Sequence, residues 1–465
     1  MTSGSTGPGN PRDEGVTDGV ALLMGDPKKA ILVLSGPMIV AMLLMSTYNI
    51  VNAIWVAGLG SDALAAVGFV TPLFMVMIGI GNGLGAGVAS VISRRIGAKD
   101  KTSADNAAIH ALLIVAILSA VLTIPLILLT GPIVTLFGAG ETAGLATTYG
   151  QIVFLGMALI LFTNVGYAIL RAEGDTKRAM YAMGASSVLN LILDPILIYG
   201  AGMGIAGAAW GMIISLIAVS GVILYWFFIK RDTYVTLAWR DFSYDRKTVR
   251  DILGVGLPAS VEFFLMSAIA IFINSLLVLT AGTDAVAVYT AGWRVIFFAI
   301  IPLVGIATSL ISVAGAAYGA RQYEKIRTAH TFSITIGVII SVAISIITFL
   351  FASQIAVIFT YSADSAHLAP DIALFLMTMC LFYPFVPPGI MSGSVFQATG
   401  RGMTSLVITI LRNLLFIALF AYLFGIVLGF GEHGVWWGIV AGDILGGTVA
   451  FLWARYYIAR LIANA

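Results

Sequence analysis

The chain contains little charge. Only 10% of its 465 residues are Asp, Glu, Lys or Arg, whereas 60% are hydrophobic. Average soluble domains carry about 25% charged residues. The composition therefore excludes an ordinary soluble protein and predicts an integral membrane protein whose surroundings are the lipid bilayer. Nucleic acid is not expected as a partner.

Cysteine and histidine are also scarce, with one Cys and four His. The single cysteine, Cys380, excludes a disulfide framework within the chain. No group of His, Cys and acidic residues has the spacing of metal ligands, and neither a G-x-S-x-G nor an H-E-x-x-H motif occurs. A membrane-embedded enzyme is therefore disfavoured, and no cofactor is expected.

Long hydrophobic runs are abundant instead. A helix needs about 20 mostly apolar residues to cross a bilayer. Twelve runs meet this requirement and predict an all-α integral membrane protein. They lie at 30–58, 63–93, 106–130, 145–170, 179–199, 205–229, 255–280, 285–318, 329–352, 371–398, 404–430 and 434–454.

Basic residues follow only the even-numbered runs. Arg94 and Arg95 follow the second run, Arg171 follows the fourth, and a basic connection at 230–250 follows the sixth. The connections after odd-numbered runs contain neither Lys nor Arg. The positive-inside rule then predicts a multi-pass protein of the cell membrane with both termini in the cytoplasm.

The longest charged connection divides the chain near its middle. Residues 1–25 are rich in Gly, Ser, Pro and acidic residues and are predicted to be a disordered cytoplasmic tail. A six-helix lobe at 26–229, a cytoplasmic linker at 230–251 and a second six-helix lobe at 252–465 complete the predicted organisation.

The two halves share short motifs at the same spacing. The motif G-S-D-A-L-A at 60–65 recurs as G-T-D-A-V-A at 282–287, and G-A at 97–98 recurs at 319–320. Six spans in each repeat give both copies the same membrane orientation. A parallel repeat of this kind is typical of transporters that bind substrate between two lobes and alternate between inward-open and outward-open states.

One carboxylate lies within the fifth run. Asn190 precedes Asp194 by four residues, so the two side chains project from one face of a helix. A charged residue at the bilayer centre costs about 2.5–3.5 kcal/mol on insertion scales and commonly marks an ion pathway. Asp194 is therefore predicted to bind a proton or an ion, and a structural carboxylate paired with a neighbour is the alternative.

Together these motifs resemble the multidrug and toxic compound extrusion (MATE) transporters. The resemblance is carried by Pro37, Y-N-I-V-N at 48–52, the turn at 56–66, G-A at 97–98, R-A-E-G-D at 171–175, 190–195 and Q-A-T-G-R at 397–401. It is closest to the prokaryotic branch that includes the DNA-damage-inducible F type and archaeal members. It implies a V-shaped pair of six-helix lobes, often monomeric, that exports amphipathic and cationic compounds in exchange for H⁺ or Na⁺.

The resemblance also implies a coupling site in the first lobe, built from an aspartate of helix one, an Asn/Asp pair of helix five and commonly a threonine of helix six. Asn190 and Asp194 supply the pair, but Asn52 replaces the helix-one aspartate and Met212 replaces the threonine. Tyr48 precedes Asn52 by one turn. Because a lone desolvated carboxylate takes up a proton, H⁺ coupling through Asp194, Asn190, Asn52 and Tyr48 is expected; Na⁺ at Asp194, Asn190 and Asn52 is the alternative.

One proline in the first run and four charged residues in the runs of the second half carry further predictions. Pro37 is predicted to bend helix one, and Glu262 of helix seven is a secondary candidate for coupling. Glu262, Arg294, Arg412 and Asp443 lie at membrane depth in the second lobe, where such groups generally pair or face an aqueous cavity. Ion pairs are therefore predicted, and helix-end placement is the alternative for Arg294, Arg412 and Asp443. A flippase of lipid-linked precursors is the alternative function, although only Arg294 and Arg412 could make its cavity basic.

Overall fold

Helices form nearly all of the structure. The computed structural model describes residues 17–237, 239–360 and 366–464. The helices of the first half are α1 Asp18–Met24, α2 Pro27–Ala57, α3 Ser61–Gly97, α4 Lys101–Leu136, α5 Ala143–Leu155, α6 Met157–Ala172, α7 Thr176–Pro195 and α8 Ile205–Leu224. The last two continue as π-helical segments, Ile196–Gly200 after α7 and Tyr225–Lys230 after α8.

The second half is built in the same way. Its helices are α9 Arg246–Ala281, α10 Thr283–Gly319, α11 Tyr323–Leu350, α12 Ala352–Phe359, α13 Ala369–Met379, α14 Val386–Ala398, α15 Gly402–Ile410, α16 Ala418–Tyr422 and α17 Gly431–Ala463. A π-helical segment, Leu411–Ile417, joins α15 to α16, and another, Leu423–Val427, follows α16. The described residues contain no strand.

These helices account for the predicted spans. Among the described residues, 11 helical segments are long and apolar enough to cross a bilayer, and α5 with α6 makes up to 12 when counted as one span bent by 45°. Every predicted run lies largely within one of these segments. The predicted all-α integral membrane fold is therefore confirmed.

Two kinds of start signal place the helix ends. At the end of the bundle that carries Arg94 and Arg95, which we call the basic end, aspartate side chains accept backbone N–H bonds as N-caps: Asp26, Asp100, Asp175 and Asp245. At the opposite end, α3 and α10 begin after Gly60 and Gly282, whose φ values of 105° and 79° favour glycine. The repeated G-x-D motif therefore forms the same turn twice.

The helix α1 corrects the prediction for residues 1–25. Residues 18–24 form an ordered helix in which Val20 and Leu23 are buried. Residues 1–16 lie outside the described residues. The tail prediction was wrong for 18–24 because composition averaged over the whole segment hides two apolar side chains on one helix face.

The two halves contact each other closely through glycines. At the basic end, Gly97 of α3 packs against the backbone of α10, and Gly319 of α10 packs against the backbone of α3. Farther along α3, Gly83 and Gly87 pack against the backbone of α9. Backbones approach this closely only where no Cβ intervenes. These contacts bring the halves together toward the basic end.

The connection between the halves lies along the first half. The backbone N–H of Val235 donates to Glu173 Oε2 at 2.9 Å, and that of Thr236 donates to Asp105 Oδ1 at 2.8 Å. The N–H of Asp245 donates to His110 Nε2 at 2.9 Å. The connection is therefore fixed to the first half, whereas the division into lobes at 230–251 stays a prediction.

Candidate functional site

Three polar side chains from α2 and α7 come together in the first half. Asp194 is fully buried near the end of α7, and Asn190 lies one turn earlier and is 4% exposed. Asn52 of α2 donates from Nδ2 to Asp194 Oδ2 at 2.6 Å. The asparagine that replaces the expected helix-one aspartate is thus a direct hydrogen-bond donor to the carboxylate.

Two tyrosines surround the same carboxylate. Tyr48 of α2 and Tyr149 of α5 both lie close enough to interact electrostatically with Asp194. Tyr48 is one of the predicted site residues, whereas sequence reasoning missed Tyr149. Its only signal is a phenol within an apolar run, and the packing of α5 against α8 is needed to place it.

The site contains two acceptor oxygens without a donor. Among the described residues, Asp194 Oδ1 and Asn190 Oδ1 have no hydrogen-bond partner, while Asn190 Nδ2 donates to Ser186 O at 2.9 Å. A buried acceptor without a partner costs about 1–3 kcal/mol, and more when it is charged. Two such acceptor oxygens are suited to bind a proton or a small cation.

Space beside the carboxylate is provided by Gly211 of α8. A Cβ at this position would lie 2.5 Å from Asp194 Oδ1. The next residue, Met212, packs against the hydrophobic core, and its side chain contains no oxygen that could bind an ion. The free side of the carboxylate is therefore bordered by glycine backbone.

The end of α7 is attached to α2 at a second point. Beyond Pro195 the helix widens into the π-helical segment, and Tyr199 in that segment donates its hydroxyl to Trp55 O at 2.5 Å. π-Helical segments occur frequently at functional sites. Helix α2 runs without interruption through Pro37, and the two α2 residues that make these hydrogen bonds, Asn52 and Trp55, lie in its second half.

The second half contains a separate cluster of charged residues. Arg412 Nε lies 2.8 Å from Asp443 Oδ1, and Asp443 is fully buried. Gln397 Nε2 is 3.4 Å from Glu262 Oε2, so Glu262 does not join the Asp194 cluster. The predicted pairing is confirmed for Arg412 and Asp443. It is wrong for Arg294, which is exposed and forms no ion pair within the described residues.

The structure is a bundle of apolar spans. One half contains a buried carboxylate surrounded by polar side chains, and the other contains a buried ion pair. This is the architecture of a membrane transporter. The comparison with protein families agrees. The MatE family model matches residues 37–196 and 258–423. The chain belongs to this family of transporters, whose members are not enzymes.

The relatives have similar lengths. The multidrug export protein MepA of Staphylococcus saprophyticus is 27% identical over 426 residues, covering 91% of this chain and 92% of that protein. A solved structure described as an outward-facing multidrug resistance MATE family transporter of the MOP superfamily is 44% identical, with a TM-score of 0.94 over 96% of this chain and 99% of that one.

A second solved structure makes a similar match. It is a MOP superfamily transporter from Pyrococcus furiosus, described as having a binding pocket of reverse polarity that suggests a different function. It is 44% identical, with a TM-score of 0.93, covering 96% of this chain and 99% of that one. The comparisons do not separate the branches of the family, so the DNA-damage-inducible F-like placement stays a prediction.

Proposed function

We propose that this protein is a multidrug antiporter that exports amphipathic and cationic compounds in exchange for H⁺, with Asp194 as the coupling carboxylate. The observation that carries the proposal is the asymmetry of that carboxylate. Asn52 holds Oδ2 at 2.6 Å, while the buried Oδ1 has no donor among the described residues. Export of drug-like compounds is proposed because the relatives are named for multidrug export and multidrug resistance.

The coupling step follows from hydrogen-bond chemistry. A donor at Oδ2 favours the ionised carboxylate, whereas burial without a counter-charge favours the protonated form. A proton bound at Oδ1 supplies the missing hydrogen and removes the buried charge. Asn190 Oδ1, on the same face of α7, is then an acceptor for it. Tyr48 and Asn52 orient the carboxylate. Na⁺ bound by Asp194, Asn190 and Asn52 is the alternative for the coupling ion.

Alternating access is proposed to separate the two lobes. The family model matches each half once, which supports the parallel repeat and the division at 230–251. The glycine contacts close the bundle toward the basic end, and the positive-inside rule assigns that end to the cytoplasm of the cell membrane. In the proposed cycle a monomer loads its proton from outside, α2 shifts at Pro37, and the substrate leaves outward.

Glu262 remains a secondary candidate for coupling. Its carboxylate interacts with Gln397 and Ser405 on the α14 and α15 side, and Arg412 lies close enough to interact electrostatically. A flippase for anionic lipid precursors is less well supported, because Asp443 neutralises Arg412 and so leaves Arg294 as the single candidate to make a cavity basic.

Efflux of a fluorescent organic cation from proteoliposomes tests the proposal. We expect an imposed pH gradient to drive the wild type and an imposed Na⁺ gradient to drive it at least about tenfold less. Asn52→Asp restores a second carboxylate and should gain Na⁺-driven efflux, since an extra anionic ligand favours a cation. Asp62→Asn is the control: it changes an exposed acid outside the cluster and should leave the response to both gradients as in the wild type. Na⁺-driven efflux by the wild type would refute proton coupling, and efflux driven by neither gradient would refute antiport.

A further inference from the structure

A groove at the basic end lies outside the transport site. It has a volume of about 460 Å³ and is lined by Arg327 near the start of α11 and by residues near the end of α17: Arg455, Tyr456, Ile458, Ala459, Ile462 and Ala463. Two guanidinium groups therefore border a surface that is otherwise largely apolar. The proposed transport mechanism uses none of these residues.

The charged groups around the groove have a positive balance. Arg455 Nη1 donates to Thr331 Oγ1 at 2.9 Å, which fixes its guanidinium across the gap between α17 and α11. Arg327 Nη2 lies 2.7 Å from Glu324 Oε2, a pair whose side chains are 52% and 57% exposed. Exposed pairs of this kind contribute about 0–1 kcal/mol, so a stronger anion displaces the carboxylate readily.

The position of the groove along α17 corresponds to the interface between the membrane and water. The helix α17 is 33 residues long, more than the roughly 20 needed to cross the hydrocarbon, and the groove occupies its last turns. Tyr456 is 61% exposed and Trp453 is 38% exposed. Exposed aromatic side chains near the end of a span are typical of the headgroup level. Leu452, 60% exposed, continues the apolar surface toward the middle of the span.

We infer that this groove binds the headgroup of an anionic phospholipid, with Arg327 and Arg455 on the phosphate and Ala459 and Ile462 beside the first acyl carbons. Basic pockets between spanning helices bind anionic headgroups in this way. The planar guanidinium group suits phosphate because it donates two hydrogen bonds in one plane. A free phosphate is also an anion, but it has no acyl chain to pack against the apolar wall.

Thermal unfolding of the purified full-length protein in detergent tests the inference. Phosphatidylglycerol, phosphatidylcholine and glycerol phosphate are titrated separately. We expect phosphatidylglycerol alone to raise the unfolding temperature at micromolar to millimolar concentration. In Arg327→Gln with Arg455→Gln its affinity should fall about thirtyfold, the equivalent of two contributions of about 1 kcal/mol each.

Two further variants separate binding from folding. Ala459→Phe fills the groove without removing a charge and should lose the same effect, whereas Arg240→Gln, an exposed arginine on the connection between the halves, should keep it. Equal stabilisation by phosphatidylcholine, stabilisation by glycerol phosphate, or an unchanged response in the double variant would each overturn the inference. The readout is binding, so failure of the proposed transport function leaves this test unaffected.

Discussion

At the scale of single residues, the two oxygens of Asp194 have different surroundings. Oδ2 accepts a hydrogen bond from Asn52, and Oδ1 lies beside Gly211. One oxygen is therefore held in place, and the other remains available to a proton or a cation. Any group added beside Oδ1 competes with the bound ion for the same space.

Gly211→Ala is predicted to reduce transport by about tenfold or more, because a Cβ would lie 2.5 Å from Asp194 Oδ1 and overpacking typically costs about 1–3 kcal/mol. Drug efflux from proteoliposomes measures the effect. Gly221→Ala on the same helix is the control, since no heavy atom of the described residues lies within 4 Å of the Cβ it would add. Equal efflux by the two variants would contradict the prediction.

The sequence predicts part of this site and not the rest. Asn190 and Asp194 share a face because helical spacing is visible in one segment, and the family resemblance placed Asn52 and Tyr48 beside them. Tyr149 and Gly211 could not be identified in the same way. Their role depends on how α8 packs against α7 and how α5 packs against α8, and no pattern within a single helix contains that information.

At the scale of secondary-structure elements, the connection after α8 is held by a buried carboxylate. Glu173 is 2% exposed, and its Oε2 accepts the N–H of Val235. Burial raises the pKa of Glu173 to about 8 from an ordinary value of 4.5, although the Val235 N–H and Arg178 act in the opposite direction. The folded protein therefore binds this proton more tightly than the unfolded chain.

The contribution of the Glu173 proton to stability is predicted to fall as the pH rises from about 4.5 to about 8. This contribution is complete below the pKa that Glu173 has in the unfolded chain, and it is lost as the pH rises through the pKa that Glu173 has in the folded protein. Each pKa unit corresponds to about 1.4 kcal/mol. The Glu173→Gln protein should lose this part of the pH dependence and gain stability relative to the wild type at high pH.

Unfolding temperatures of the two proteins between pH 5 and 8.5 measure this difference. Glu324→Gln, which alters an exposed carboxylate, is the control. Parallel curves for the wild type and Glu173→Gln would show that this proton contributes nothing to stability.

Element boundaries show the same division between what sequence predicts and what it does not. Span positions follow from apolar runs, and all twelve predicted runs lie on helices. The bend between α5 and α6 and the π-helical segment after Pro195 do not follow from hydropathy, because they depend on which backbone hydrogen bonds form. Helix α1 was missed because two buried side chains, Val20 and Leu23, are too few to alter the composition of the tail.

At the scale of the whole molecule, the paired glycines Gly97 and Gly319 set how closely the halves approach. Each occupies the equivalent position in its repeat and packs against the backbone of the other half. Backbone atoms do not move aside as a flexible side chain does. A side chain at either position would therefore keep the basic end from closing.

Gly97→Val is predicted to separate the basic ends of α3 and α10 and to abolish most transport. Thr102→Cys and Gln322→Cys, both at exposed positions, carry spin labels in a Cys380→Ser background. Double electron–electron resonance spectroscopy measures the distance between the two labels. We expect a longer mean distance in Gly97→Val than in the labelled parent. Gly254→Val should leave this distance unchanged, because its added Cβ would meet no heavy atom within 4 Å in the part of the chain that the structure describes. An unchanged distance in Gly97→Val would show that the glycine contact does not hold the ends together.

The coupling role of Asp194 is tested most directly by comparing wild type, Asp194→Asn and Glu262→Gln in proteoliposomes with an imposed pH gradient. Asparagine keeps the shape of the side chain but has no carboxylate to bind a proton. We predict that Asp194→Asn loses gradient-driven efflux while remaining folded, and that Glu262→Gln retains a substantial fraction of it. Efflux at the wild-type rate in Asp194→Asn would contradict the account.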